Sequence, residues 1–212
     1  MKALFICNTP FQVLTALLLH ASKGMEADLY LVNSFGGVRE LASSIINEKV
    51  FQQVKIIDET LIWKSKSTNI MEKRWSTVQT YMNCQRIVEG ISPEIHTYTE
   101  LFVANRAAIN RLFCMYMAKH NRECQIHYFD DGIGTYDGTV IDVKRSDYLL
   151  RRLLVGDRAA DFVYDLYLYS PELYRERYPD RRIDTKKMPI LRMNEQIDRI
   201  FGVGKNDRFD TK

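Results

Sequence analysis

The chain has 212 residues, 46% of them hydrophobic and 27% charged, enough to bury a sizeable core in one large or two small domains. A net charge of +3 with a pI near 8.6, and both signs interspersed, is too mildly basic to argue for nucleic acid, whereas anionic substrates or a membrane surface stay compatible. No run of about 20 consecutive apolar residues offers a membrane span, and the apolar start Ala3 to Cys7 leads into Asn8-Thr9-Pro10 with no signal-peptide cleavage pattern.

Strand-like and helix-like patterns alternate through the first two thirds, which predicts a doubly wound, Rossmann-like, mostly parallel α/β sheet. The first strand is Ala3 to Cys7. A helix begins at Pro10 with Phe11, Leu14, Leu17 and Leu18 on one side, followed by a strand at Leu29 to Val32. Val38, Leu41, Ala42, Ile45 and Ile46 fall at helical spacing, and Gln53 to Ile57 predicts a third strand. Met71, Trp75, Val78 and Met82 mark a longer helix before Pro93, and Leu101 to Ala104 a short buried strand. Ile109, Leu112, Phe113, Tyr116 and Met117 repeat the helical pattern before a strand at Cys124 to Phe129. Beyond Tyr148 the regularity weakens. Leu149 to Leu154 reads as a helix, Phe162 to Tyr169 as a strand and the charged Glu172 to Lys187 as an exposed loop or helical excursion. Pro189 to Arg192 is a further strand candidate and Glu195 to Phe201 a short helix. The expected organisation is a Rossmann-like domain over 1–147 and a helical, charged extension over 148–212.

The chemistry concentrates at Tyr128-Phe129-Asp130-Asp131-Gly132-Ile133-Gly134-Thr135-Tyr136. Two adjacent carboxylates repel, so a fold keeps them at a cost, and at a strand's carboxyl end they suit a general base. The bland alternative is a turn, with one Asp bonding its own backbone and Gly supplying positive φ. If the roles divide, Asp131 is the turn former and Asp130, nearer the rigid strand, the catalytic candidate. Thr9-Pro10-Phe11-Gln12 has the form of a capping box, whose helix start offers N–H groups to an anionic or hydroxyl-rich ligand or simply caps the helix. Both loops leave strands at the sheet edge where ligands of open α/β sheets bind. Asn8, Thr9, Gln12, Gly132, Gly134 and Thr135 are therefore the expected substrate-binding residues around Asp130 and Asp131.

Other signals are weaker. Gly132-Ile133-Gly134 lacks the third glycine of the dinucleotide fingerprint, no Walker A sequence is present, and no Asp-x-Asp offers a carboxylate clamp for a metal. No cofactor or metal is expected. Cys7, Cys84, Cys114 and Cys124 form no CxxC pair and read as reduced cytoplasmic thiols. His20, His96, His120 and His127 are isolated, and only His127 lies close enough to the aspartates to be weighed as a proton carrier against an ordinary buried side chain. Tyr164, Tyr167 and Tyr169 suit strand packing or, more sharply, sugar stacking. Arg175, Arg177, Arg181, Arg182, Lys186 and Lys187 read as a solvated face or as a contact for acidic headgroups.

Three stretches together resemble the bacterial sialyltransferases of glycosyltransferase family 52, which act in lipooligosaccharide and capsule assembly. They are Leu4-Phe5-Ile6-Cys7-Asn8-Thr9-Pro10-Phe11-Gln12, Phe129-Asp130-Asp131-Gly132-Ile133-Gly134 and Leu150-Arg151-Arg152-Leu153-Leu154-Val155-Gly156-Asp157. The resemblance implies the N-terminal half of a GT-B type, inverting, metal-independent glycosyltransferase using CMP-sialic acid as donor and a terminal galactose-like glycan acceptor. It places Asp130 and Asp131 in an acidic-acidic-Gly motif, in which some relatives find their base. The family's second Rossmann-like half carries a His-Pro pair that this chain lacks, so the expectation is a half-enzyme, inactive alone, with residues 148–212 starting the linker to the other half. A cytoplasmic place, peripheral on the inner face of the membrane, and a homodimer are compatible with this. The competing readings are a GT-B enzyme with another nucleotide-sugar donor, and a non-catalytic Rossmann-like module that binds a glycan or oligomerises.

Overall fold

The computed structural model describes residues 1–58, 76, 78–136, 163–179, 183–189 and 195–202. Seven strands form its sheet: β1 (Lys2–Cys7), β2 (Glu26–Val32), β3 (Gln53–Ile57), β4 (Glu100–Val103), β5 (Gln125–Phe129), β6 (Val163–Leu168) and β7 (Asp184–Lys187). The helices are α1 (Pro10–Lys23), α2 (Val38–Asn47), α3 (Cys84–Ile91), α4 (Ala108–His120), α5 (Ile133–Tyr136), α6 (Pro171–Arg177) and α7 (Glu195–Phe201). Every strand pairing is parallel, in the order β3-β2-β1-β4-β5-β6-β7. This is the Rossmann-like α/β arrangement that the alternating patterns predict.

Both faces of the sheet are covered, which is why its inner strands read as unbroken apolar runs instead of alternating ones. Along β1, Ala3, Phe5 and Cys7 pack with Val13, Ala16, Leu17, Leu41 and Ile45 of α1 and α2, and with Ile200 of α7. Leu4 and Ile6 point the other way, toward Val88 of α3 and Ile109, Leu112 and Phe113 of α4. The Phe5 and Phe102 rings stack at 4.5 Å, tying β1 to β4 at the centre of the sheet. Complete burial of one such ring contributes roughly 1.5–3 kcal/mol.

Helix α1 starts as its sequence requires. Thr9 is extended (φ −141°, ψ 157°) and its hydroxyl accepts from the Gln12 N–H at 3.2 Å, while Pro10 occupies a first-turn position that needs no donor. Thr9→Ala should therefore destabilise the protein by about 0.5–2 kcal/mol in urea titration, and Thr9→Ser by far less. The core face of α1 includes the predicted Leu17 and Leu18 but not Phe11 or Leu14. Val13, Ala16, Leu17 and Leu19 are buried, as is Gln12, whereas Phe11 is 42% exposed and Leu14 half-buried. The run from Val13 to Leu19 is apolar on nearly every side, so periodicity could not choose a face and tertiary contact did. Ile46 of α2 is likewise exposed.

The charged stretch Glu172 to Lys187 begins as the helical excursion allowed for it, and the largest correction is the strand at its end. The ends of the stretch are α6 and the edge strand β7, which pairs with β6. A strand this charged is stable because Lys186 reaches the buried Asp165 of β6 and Arg175 donates to the Thr185 carbonyl at 2.7 Å. Strands β6 and β7 thus continue the sheet built by residues before 147. Pro189 lies outside any strand. Met71 and Trp75 of the predicted longer helix, the Leu149 to Leu154 helix, residues 190–192 and the segment from Leu150 to Asp157 fall outside the described residues. Residues 78–82 are helical, with Met82 70% exposed.

Candidate functional site

Chain order reverses direction across the sheet between β1 and β4, because β2 lies on one flank of β1 and β4 on the other. In open α/β sheets this switch point, outside the strands' carboxyl ends, is where ligands bind. Here it gathers Asn8 just after β1, Asn105 just after β4 and Asp130 and Asp131 just after β5.

Asp131 is the centre of a closed set of side-chain contacts. The Gln12 side-chain amide donates to its Oδ1, and the Asn105 amide donates to its Oδ2 at 3.1 Å. Each amide is itself held. Gln12 Oε1 accepts from the Asn8 backbone N–H at 2.6 Å, and Asn105 Oδ1 accepts from the Ala107 N–H at 2.9 Å. Asn110, in the first turn of α4, closes the ring: its Nδ2 donates to Asn105 Oδ1 at 3.0 Å and to Asn8 Oδ1 at 3.0 Å. Asn8, Gln12 and Asn110 are buried, while Asp131 and Asn105 are half-buried. The Cys7 thiol beneath is held in its protonated form, its pKa raised by burial and, to a lesser degree, by the Asp131 charge.

Asp130 does something different. Fully buried, it accepts from the Gly132 N–H at 2.7 Å, the Tyr136 hydroxyl at 2.5 Å and the Tyr169 N–H at 3.1 Å. Gly132 sits at φ 89°, where a side chain would strain the backbone even though a Cβ would meet no atom within 4 Å. Burial, and then the Asp130 contact, raise the Tyr136 phenol to about 12, so it remains a donor at neutral pH. The same hydroxyl accepts from the Ser170 N–H at 2.9 Å, fastening the β5 turn to the end of β6. The aspartate that bonds the turn's own backbone is thus Asp130, where Asp131 was expected to, and Asp130 also takes the Tyr169 N–H while the Asp131 side chain meets α1 and the loop after β4. The pleat carries the signal. Phe129 faces the α1 side of the sheet, so its i+2 neighbour Asp131 turns toward α1 and Asp130 does not.

The other predicted positions divide similarly. Thr9 caps α1, and Thr135, buried, accepts from the Asp131 N–H at 2.9 Å. Gly132 makes the turn and Gly134 is exposed on α5. Asn8 and Gln12 support Asp131. Asn105 and Asn110 are not among the predicted residues, while Tyr136 closes the predicted motif and Tyr169, weighed for packing or stacking, bonds Asp130 through its backbone N–H. Asn105 was within reach of the sequence, as a polar residue two places beyond a strand at the same sheet edge.

His127 lies on the α1 face but away from this edge, stacked on Phe102 at 4.5 Å. Its Nδ1 bonds Asp165 and its Nε2 lies 3.3 Å from Glu100. Lys186 pairs with Asp165, and Lys23, from the last turn of α1, lies 3.5 Å from Glu100. Burial alone would lower the imidazole pKa, but its two carboxylate partners outweigh burial and raise it. The cluster pairs a buried imidazole and two buried carboxylates with two partly exposed lysines and does not touch Asp131.

The hollows bordered by described residues include two that lie away from Asp131. One of about 590 Å³ lies beside Lys55, Thr80, Asn83 and Arg86, between β3 and α3. Another of about 320 Å³ lies among Pro10, Gly36, Gly37, Glu40 and Phe201, beside the start of α1. Asp131 borders neither. Among the described residues no group of three or more His, Cys, Asp and Glu is placed to hold a metal ion, and no helix is long and apolar enough to cross a membrane.

A parallel sheet wound in this order, with an acid held by amides at its switch point, defines a Rossmann-like protein of the kind that handles ligands at the carboxyl edge of its strands. The sequence profile of the alpha-2,8-polysialyltransferase (POLYST) family matches residues 3–200, and the chain belongs to that family. It is therefore a sialyltransferase-family glycosyltransferase chain, and the family implies a nucleotide-sugar donor and a glycan acceptor. Among curated proteins none matches the sequence.

Proposed function

We propose that this chain contributes the acceptor-activating acid to transfer of sialic acid from CMP-sialic acid onto a glycan, with Asp131 as the base. The observation that carries the reading is the Asp131 carboxylate at the switch point, tied by side chains to the first turn of α1 and to the loop after β4. Asp131 takes the proton of the acceptor hydroxyl as that oxygen bonds to the anomeric carbon of sialic acid. The bond from this carbon to the CMP phosphate breaks, CMP leaves with the electron pair, and the configuration inverts. Cytidylate is a good leaving group, so the step calls for no metal.

The sequence resemblance implied a galactose-terminated acceptor. The family's description as an alpha-2,8-polysialyltransferase favours one that already ends in sialic acid. Growth of lipooligosaccharide or capsule would place the reaction on the cytoplasmic face of the inner membrane. There Lys187, exposed on the edge strand, offers a basic side chain, and salt-sensitive binding to anionic vesicles is the test.

The decisive experiment incubates the full-length protein with CMP-sialic acid and either oligosialic acid or lactose, and reads the products by mass spectrometry. Elongated oligosialic acid is expected. Sialyllactose alone would return the acceptor to galactose. Stable glycan binding without turnover of any nucleotide sugar would replace the enzyme by a binding module.

A further inference from the structure

We infer that Gln12 and Asn105 are positioning residues for Asp131, their amides fixing one carboxylate oxygen each, one from the first turn of α1 and one from the loop after β4. This rests on Asp131 being the base. A carboxylate has about four lone-pair sites, and one amide donor on each oxygen leaves each a lone pair for an incoming hydroxyl. The kind of donor matters. An Arg or Lys would neutralise the charge that draws the proton, whereas neutral amides set the orientation and leave the charge.

The amides cannot easily serve another purpose. Gln12 is fully buried, with its oxygen on the Asn8 N–H and its nitrogen on Asp131. Asn105 has its oxygen engaged by Ala107 and Asn110 and its nitrogen by Asp131. Asn110 then links the two arms through Asn8 Oδ1, so a shift of either arm is felt by both amides. Such support is what holds a catalytic group within the few tenths of an ångström that efficient chemistry requires.

The test is a double-mutant cycle on the full-length protein, with Gln12→Leu and Asn105→Ala each made alone and with Asp131→Asn. Thermal melting selects variants that are folded, and the two substitutions lie on different elements so that one suffices. Each single variant should lower kcat about 10- to 100-fold with both KM values within about twofold of the parent. In the Asp131→Asn background the same substitutions should cost less than twofold, because the group they position is gone. Equal losses in both backgrounds, raised KM at unchanged kcat, or no loss in the parent would overturn the positioning role while Asp131 stands as base. Full turnover by Asp131→Asn itself would overturn both.

Discussion

Asp131→Asn should lower transfer by about 10²- to 10⁴-fold at unchanged fold stability, the range that a positioned general base contributes. The substitution keeps the shape of the side chain. One of its two amide neighbours, Gln12 or Asn105, would then meet an NH2 in place of an oxygen, and the half-buried site lets water reach that group. The comparison that gives the result its meaning is Asp130→Asn. There the carboxylate accepts from Gly132, Tyr136 and Tyr169 in a fully buried setting, so one amide nitrogen must face a donor that has lost its acceptor. The expected cost is about 1–3 kcal/mol of stability per orphaned donor, read by denaturant titration. Rates corrected for folded fraction should fall steeply for Asp131→Asn and modestly for Asp130→Asn. The opposite ranking would return the catalytic role to Asp130.

The second large effect lies in the buried charges beneath the site. Asp165→Asn should destabilise the protein by about 3–5 kcal/mol at pH 5.5, since it leaves His127 in the sheet interior without its closest carboxylate. Lys186 is 41% exposed, so water screens it and it accounts for the smaller share. The pH dependence has a definite sign. For His127 burial lowers the pKa but its bonds to Asp165 and Glu100 outweigh this, and the folded value stands above the ordinary 6.5. Its contribution is then complete below 6.5 and lost as pH rises through the folded value. Glu100 is held below 4.5 chiefly by His127, and Asp165 below 3.8 because His127 and Lys186 outweigh its burial. Their contributions are complete above those ordinary values and lost as pH falls through the folded ones. The difference in melting temperature between parent and Asp165→Asn should therefore be greatest between about pH 4.5 and 6.5 and shrink on either side. A difference that stays constant from pH 4 to 9 would mean that His127 is held neutral and the pairing is an ordinary hydrogen bond.

These two clusters show where reading a sequence stops. The alternation of strands and helices, the cap at Thr9, the strand ends at Asn8 and Asp130 and the parallel α/β class were all legible, because each follows from neighbours a few residues apart. Beyond Tyr148 the strand Val163–Leu168 and the helix Glu195–Phe201 were legible too, and it was the charged stretch between them that misled. Charge between Glu172 and Lys187 resembles a solvated loop until Asp165, some 20 residues earlier in the chain, is set beside Lys186 across two strands.

The chain order of β1, β4 and β5 could be guessed from its amino acids, and with it the sheet edge where Asn8 and the aspartates lie. Only the tertiary structure decided which aspartate bonds the turn and which meets Gln12 and Asn105. Gln12 and Asp131 are 119 residues apart, and their contact depends on α1 being turned with Gln12 inward and Phe11 outward. An apolar helix does not specify that rotation by its own periodicity, because several faces bury equally well. Packing against the β1 and β5 side chains selects one of them, and that selection brings the amide to the acid.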